Sequence, residues 1–404
     1  MIEADRSEHV PLGIVIGSML RGGTETFLLD LLPELKEHGF APSIYLIGAD
    51  GPLREAFEAR GIRVLPERPR EPPAQLPRPV RRLMRLFSLL PGLWAWALRH
   101  RSGLIHAYLP EAVILSALAL WPMRRRLILA QRGSFTYRAR YGATVTAIER
   151  WAFRQSPGIV TNCGQLVEML TDDGVPRDKI FMISNGLSPE RMAPVGASRA
   201  AARARLDLTD DAFVLVKVAN LHGYKGHADV LNALARLRAG GALPPRTTML
   251  FIGSNTSMEG VDMLNQLKQL AQYLGIADIV RWLGERGDAT LLMRAADVGV
   301  HASHEEGLSN SVIEMMAAGL PIVATDVGGT AEALAGGAAG CLVQPYAPAS
   351  LASALRALIT DCQMRKSLGQ AARQRAQEEY AIVNCANHHA HVYRKLLKAM
   401  SAVN

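Results

Sequence analysis

Two carboxylates, Glu306 and Glu314, stand on either side of a poor helix former's run in HASHEEGLSNSVIEMMAAGLP. A carboxylate has two acceptor oxygens and suits a pair of neighbouring hydroxyls, as in a ribose or a hexose ring. The preceding run, VGVHAS, reads as a strand end. Gly307 permits a sharp turn, and Ser309 or Asn310 can cap a helix from Ser311 to about Ala318. The open N–H groups of such a helix start, with roughly half a positive charge from the dipole, attract a phosphate. One carboxylate on each side would match ribose, diphosphate and sugar in order. The spacing alone fits two surface glutamates beside a loop equally well.

Other candidate residues fall at or near the ends of apolar runs. Lys225 lies in NLHGYKGH, Gly22 and Gly23 in the first loop, Arg132 after RLILAQ, and His106 near the end of LIHAYL. His106 could position a substrate or be a satisfied core histidine.

Positioning these groups requires strands. LGIVIG (12–17), PSIYLIG (42–48), LIHAYL (104–109), RLILAQ (126–131) and GIVTNC (158–163) read as buried strands separated by helical stretches. The pattern restarts after about residue 187 with FVLVKVAN (213–220), TMLFIG (248–253), IVRWLG (279–284), VGVHAS (298–303) and LPIVATD (320–326). Continuous apolar runs of this kind suit parallel strands covered on both faces. The expected fold is α/β, two Rossmann-like doubly wound parallel-sheet domains facing a cleft, with ligands at the C-terminal strand ends. The expected boundaries are 1–187, 188–381 and a last helical stretch, 382–404, packing back on the first domain. SNGLSPERMAPVGAS supplies the turn-rich linker.

The 404 residues allow two domains, and a 49% hydrophobic share supplies two cores. The net charge of +8 suggests acidic partners. Nucleic acid is disfavoured because the basic residues lack interleaved aromatics. The segment 66–101 is proline-rich and then amphipathic: Arg81, Arg82, Arg85 and Ser88 share one arc of Val80–Leu90, and Trp94 and Trp96 follow. It suits either an anionic membrane surface or ordinary packing on a sheet. The four cysteines, Cys163, Cys341, Cys362 and Cys385, form no CxxC pair, which fits a reducing compartment. Cys385, His388, His389 and His391 could meet a metal from one helix, but a merely His-rich helix is the simpler reading. The charged N-terminal stretch is no signal peptide, and no apolar run is long enough to span a bilayer. A cytoplasmic protein is expected, with possible peripheral attachment to the inner face of the cell membrane.

The run EEGLSNSVIEMMAAGLPIVATDVGGTAE resembles the signature of the family 4 (GT4) retaining glycosyltransferases of GT-B fold. GSMLRGGTETFLLDLLPELKEHG, KIFMISNGL, NLHGYKGH, WLGERGDATLLMRAADVGVHAS and GGAAGCLVQP continue the likeness in order, over roughly residues 12–380. The resemblance implies that Glu314 holds ribose hydroxyls and Glu306 donor-sugar hydroxyls. Gly307, Leu308, Ser309 and Asn310 offer backbone donors to the diphosphate, and Lys225 pairs with its charge. Gly22 and Gly23 let the backbone approach from the other side. The family's usual arginine five residues before the lysine is here Asn220. A diphosphate diester carries about −2, against +1 from Lys225 and about +0.5 from a helix start. Arg21 or Arg132 is expected to complete the balance.

The implied activity is transfer of a sugar, with retention, from a nucleotide-diphosphate donor, a UDP-sugar by family habit, to a glycan or polyprenyl-linked acceptor in surface polysaccharide synthesis. No cofactor is expected, and no Asp-x-Asp pair suggests a metal. The alternatives are a nucleotide-sugar 2-epimerase-like isomerase, which needs no acceptor, and a non-catalytic partner subunit that binds a nucleotide sugar.

Overall fold

The structure is a computed structural model that describes residues 9–66, 75, 77–100, 103–193, 198–254 and 262–402. The chain forms two compact units, one reaching to Gly186 and including the chain from Ile382 onward, the other Leu187–Ala381.

The first unit is built on strands β1 (Val10–Ser18), β2 (Phe40–Ala49), β3 (Arg63–Leu65), β4 (Leu104–Ala107), β5 (Leu127–Gln131), β6 (Ile159–Thr161) and β7 (Ile180–Met182). They form a seven-stranded sheet in the order β3-β2-β1-β4-β5-β6-β7, and every pairing is parallel. Ile14, Val15 and Ile16 are all fully buried, because helices cover both faces of the sheet and alternate side chains enter opposite cores. Ile14 and Ile16 join Phe27, Leu31 and Tyr393 on one face. Val15 joins Leu93, Trp96 and Phe153 on the other.

The second unit repeats the plan with β8 (Phe213–Val218), β9 (Thr247–Ile252), β10 (Val280–Trp282), β11 (Val298–His301), β12 (Ile322–Thr325) and β13 (Cys341–Val343). Their order is β10-β9-β8-β11-β12-β13, again parallel. Val214 and Val216 enter one core, and Phe213 and Leu215 the other. Each sheet reverses its strand order once, between β1 and β4 and between β8 and β11. Loops leaving such neighbours at their C-terminal ends diverge to opposite faces and leave a crevice for a ligand.

Three strands, β3, β7 and β13, have no counterpart in the sequence reading; each is three residues long and lies at an edge of its sheet. The expected helix from Ser311 runs over Asn310–Ala317. The basic segment forms a helix over Arg78–Arg99, longer than Val80–Leu90. The side chains of 78–83 and 85–87 lie outside the described residues, so the arginine arc falls there too. For Trp96 the packing reading holds: it is a buried core residue, and its Nε1 donates to Ser43 Oγ at 3.0 Å. A Cβ at Gly13 would come within 2.6 Å of its ring, so that glycine makes room for it. In the Ile382–Ser401 helix, Cys385 and His389 face the first unit's core while His388 and His391 are exposed. Among the described residues no helix is long and apolar enough to cross a membrane.

Candidate functional site

The β8 and β11 ends carry most of the residues singled out by the sequence. After β8 the chain passes Asn220 and a short turn, Gly223–Lys225, before the helix His227–Ala239. Gly226 takes a left-handed conformation (φ 64°), and a Cβ there would meet the Ala302 carbonyl oxygen at 1.8 Å. Glycine therefore lets the Lys225 turn press against the chain leaving β11. His304 N–H donates to Tyr224 O at 2.7 Å, which ties the same two segments. Gly328 does similar work for the next loop: its φ is 59°, and a Cβ would lie 2.2 Å from Gly307 O. Gly329 N–H donates to that oxygen at 2.8 Å. Three loops thus hold Glu306 and Gly307 in place.

Lys225 Nζ donates to Glu306 Oε1 at 2.5 Å, with both side chains mostly buried. Burial alone would raise the Glu306 pKa, but Lys225 and then His301 outweigh it and hold the carboxyl below its ordinary value. Lys225 answers in kind: burial opposes its charge, Glu306 favours it more, and its pKa is raised. His301 Nε2 lies 3.5 Å from Glu306 Oε1, yet burial pushes the imidazole pKa down to about 3. At neutral pH it is uncharged, so Lys225 is the cation that Glu306 touches.

The helix Asn310–Ala317 starts after Ser309, whose side chain makes no capping bond; its Oγ lies 3.1 Å from Ser311 Oγ. The first turn of a helix presents N–H groups with no intrahelical acceptor. Leu308 is buried just before it. Glu314, one turn in, accepts from Arg191 Nη2, and the pair is 11% and 20% exposed on its two sides. Arg191 was not anticipated. It comes from the short helix Pro189–Met192, within the turn-rich stretch read as a linker, and nothing local in SPERM marks it as a partner for a residue so distant in the chain.

Asn220 carries no charge and acts as a structural tie. Its Oδ1 accepts from both the Ser254 N–H and Oγ at 3.1 Å, joining the loops after β8 and β9. Lys217 near the end of β8 was also missed. It is fully buried, and a lysine inside FVLVKVAN was the available signal.

The remaining candidates belong to the first unit. Gly22 is the N-cap of the helix Gly23–Glu37 and has extended backbone (φ −125°). The space beside it is taken by Glu25: a Cβ on Gly22 would come within 2.3 Å of Glu25 Oε2. Ser18 Oγ donates to Glu25 Oε1 at 2.7 Å. Burial raises the Glu25 pKa against that hydrogen bond. A buried carboxylate, itself unanticipated, thus occupies the space beside Gly22.

Arg132 follows β5. Its Nη2 donates to Asn185 Oδ1 at 2.5 Å, and Asn162 Nδ2 donates to the same oxygen at 3.2 Å. The guanidinium lies 3.8 Å over the Phe27 ring. Nη1 is buried without a hydrogen-bond partner, and among the described residues no carboxylate pairs with the group. Burial lowers its pKa. His106 is fully buried. Its Nδ1 lies 2.8 Å from Tyr393 Oη, and its ring is 4.2 Å from that of Tyr108. Burial, then His389 and Arg132, keep it neutral with a pKa well below the ordinary value. Of the two readings of His106, the packing agrees with the core histidine.

Two groups of relatives fit this arrangement. In three dimensions the chain is similar to Anabaena Alr3699/HepE in complex with UDP and glucose, with a TM-score of 0.80, 21% identity and coverage of 96% of this chain and 100% of that one. It is also similar to the sucrose-phosphate synthase of Thermosynechococcus elongatus, with a TM-score of 0.79, 21% identity and coverage of 96% and 99%. At such identities the likeness establishes the fold, GT-B. In sequence, residues 21–191 match the model of Glycosyltransferase Family 4, and residues 198–375 match that of Glycosyl transferases group 1. Together the two matches span most of the chain, which is thereby similar to GT4-like glycosyltransferases of the GT-B fold. It is 35% identical over 232 residues to the D-inositol 3-phosphate glycosyltransferase of Stackebrandtia nassauensis, covering 56% of this chain and 52% of that one. The corresponding protein of Geodermatophilus obscurus is 34% identical, covering 56% and 50%. The chain spans about half the length of these relatives.

Proposed function

We propose that this protein transfers a sugar, with retention, from a UDP-sugar to a glycan or polyprenyl-linked acceptor. The observation that carries the reading is the pair of carboxylates, Glu306 and Glu314, each held by a cation beside the start of the Asn310–Ala317 helix. It lies where the β8–β11 order reversal leaves room for a ligand. Glu314 would take the ribose hydroxyls in exchange for Arg191. Glu306 would take hydroxyls of the sugar, and the backbone of Gly307, Leu308, Ser309 and Asn310 would face the diphosphate. Lys225 has three N–H donors, so it can keep Glu306 and still reach a phosphate oxygen. From the family resemblance alone, Arg132, Gly22 and Gly23 are expected to add to donor binding, with Arg132 as an added cation. A uridine donor is supported by the complex of the Anabaena relative with UDP-glucose.

In the reaction the anomeric carbon leaves its phosphate oxygen and bonds to the acceptor oxygen. The acceptor proton passes to the departing phosphate oxygen. The protein's part is to orient the reactants and to stabilise charge growing on the diphosphate. No metal or other cofactor is needed for that part. The acceptor class, a role in surface polysaccharide synthesis, and work at the cytoplasmic face of an anionic membrane held by the Arg78–Arg99 helix belong to the same proposal.

A calorimetric panel of UDP-, GDP-, ADP- and dTDP-sugars in EDTA tests the reading. Micromolar binding of the UDP class, lost in Glu314→Ala, is expected. Absence of binding to every donor would overturn it.

A further inference from the structure

Lys217 is the penultimate residue of β8 and fully buried. Its ammonium nitrogen has no hydrogen-bond partner among the described residues. A buried charge without a partner is costly, so the group needs a reason to be there. It lies on the same face of β8 as Phe213 and Leu215, at the end from which the Lys225 turn departs. The groups that act on it electrostatically are Lys225 from that turn, Glu306 from the loop after β11, and Asp229 from the His227–Ala239 helix. His227 on that helix and His301 at the end of β11 feel its charge in turn. β9 offers only Phe251, its uncharged register partner. Both carboxylates already have other partners: Glu306 has Lys225 at 2.5 Å, and Asp229 has His304 Nε2 at 2.7 Å. Asn220, three residues further on, adds no charge.

We propose that Lys217 is a reserve cation of this site, taking up a proton from solvent when a donor diphosphate engages Lys225, and so restoring the positive charge that holds Glu306. The inference rests on the nucleotide-sugar reading of the site. At rest burial, then Lys225, pushes the Lys217 pKa down to about 7, so the amine is poised near neutrality. An incoming diphosphate brings about two negative charges and draws on Lys225 for their balance. The field at Lys217 then turns negative, and Nζ gains one proton; none is taken from the donor or acceptor. Release of the nucleotide returns that proton to solvent. Lys217 is thus a positioning residue: it acts through Glu306 and touches no reacting atom.

Calorimetry of UDP-glucose at pH 8, in two buffers of different ionisation enthalpy, counts the protons exchanged. The wild type should take up on the order of half to one proton per donor, with affinity falling by up to about tenfold per unit between pH 7.5 and 8.5. Lys217→Met should show no uptake and a flat profile. Lys217→Arg, always charged, should bind without uptake. Because a core variant can misfold, NMR titration of the Lys217 amine without ligand forms a second arm. Lys225→Met should raise its pKa by at least about one unit, since a like charge has gone. Binding without proton uptake, uptake that persists in Lys217→Met, or an amine indifferent to Lys225→Met would each overturn the proposal. Failure of the wild type to bind UDP-glucose, with Lys217 still responding to Lys225→Met, would strike the donor reading while supporting the coupling of Lys217 to the site.

Discussion

Arg191 donates to the carboxylate of Glu314 across 123 positions of chain, and both belong to the same unit. The contact closes the second carboxylate with a cation from the beginning of that unit, as Lys225 closes the first. A ribose can reach Glu314 only by displacing or sharing this arginine. Arg191→Ala should therefore have two effects of different size. It should lower stability by about 1–3 kcal/mol, because it leaves a mostly buried carboxylate without its partner. It should weaken UDP binding less than Glu314→Ala does. Denaturant unfolding and calorimetry on both variants check this; equal losses of affinity would mean that Arg191 itself contacts the nucleotide.

The Lys225–Glu306 pair lends itself to a double-mutant cycle. Lys225→Met and Glu306→Gln should each destabilise, and together by less than their sum, with a coupling of about 1–3 kcal/mol. Donor affinity should fall at least about tenfold in Lys225→Met, and the fall should shrink in high salt. An additive cycle would show that the pair is not formed in solution.

Lys217 gives the stability a pH dependence of known sign. Its folded pKa, about 7, lies below the ordinary lysine value of 10.5. Below pH 7 the folded chain carries the full cost of a buried charge. Between pH 7 and 10.5 the unfolded chain binds more protons, so stability rises with pH, by an upper limit of about 5 kcal/mol. The melting temperature of Lys217→Met should exceed that of the wild type most at pH 6, and the gap should narrow by pH 9. A constant gap would show that the amine does not titrate there.

Among the described residues Arg132 has no carboxylate partner, so its removal should not have the usual cost of breaking an ion pair. Arg132→Met keeps much of the contact with Phe27 and should change stability by no more than about 1 kcal/mol. Donor affinity should nevertheless drop. Unchanged affinity would remove Arg132 from the charge balance of the site.

Tyr393→Phe removes the hydroxyl at His106 Nδ1. An unsatisfied buried nitrogen should cost about 1–3 kcal/mol, while transfer rates at a permissive temperature stay within about twofold. A large loss of activity with unchanged stability would give His106 a functional role after all.

The strand ends were legible because parallel strands buried on both faces leave continuous apolar runs, as in LGIVIG and FVLVKVAN. β3, β7 and β13 were not: each is a three-residue edge strand, and RVL, IFM and CLV do not extend into the longer apolar runs that marked the equally short β6 and β10. Glu306, Glu314 and Lys225 stood out through spacing and motif. Arg191 did not, because a partnership between residues so far apart in the chain leaves no local mark. Lys217 was visible as a charge inside an apolar run. It was passed over because a strand pattern tolerates one polar residue at an exposed position, and only the packing shows that this one is buried. His106 had the reverse fate: a polar residue near a strand end looks available until Tyr393, from a distant helix, is found against it.

The Ile382–Ser401 helix places Ala386, Ala390 and Tyr393 in the core around Phe27 and Phe40. This fixes an order of events during synthesis. The Leu187–Ala381 unit is continuous in the chain, so all its material has left the ribosome while the earlier unit still waits for its last helix. The part translated first is therefore the part finished last. Until then its half-covered sheet exposes the surface that Tyr393 will occupy, a window in which chaperone engagement or aggregation would be decided.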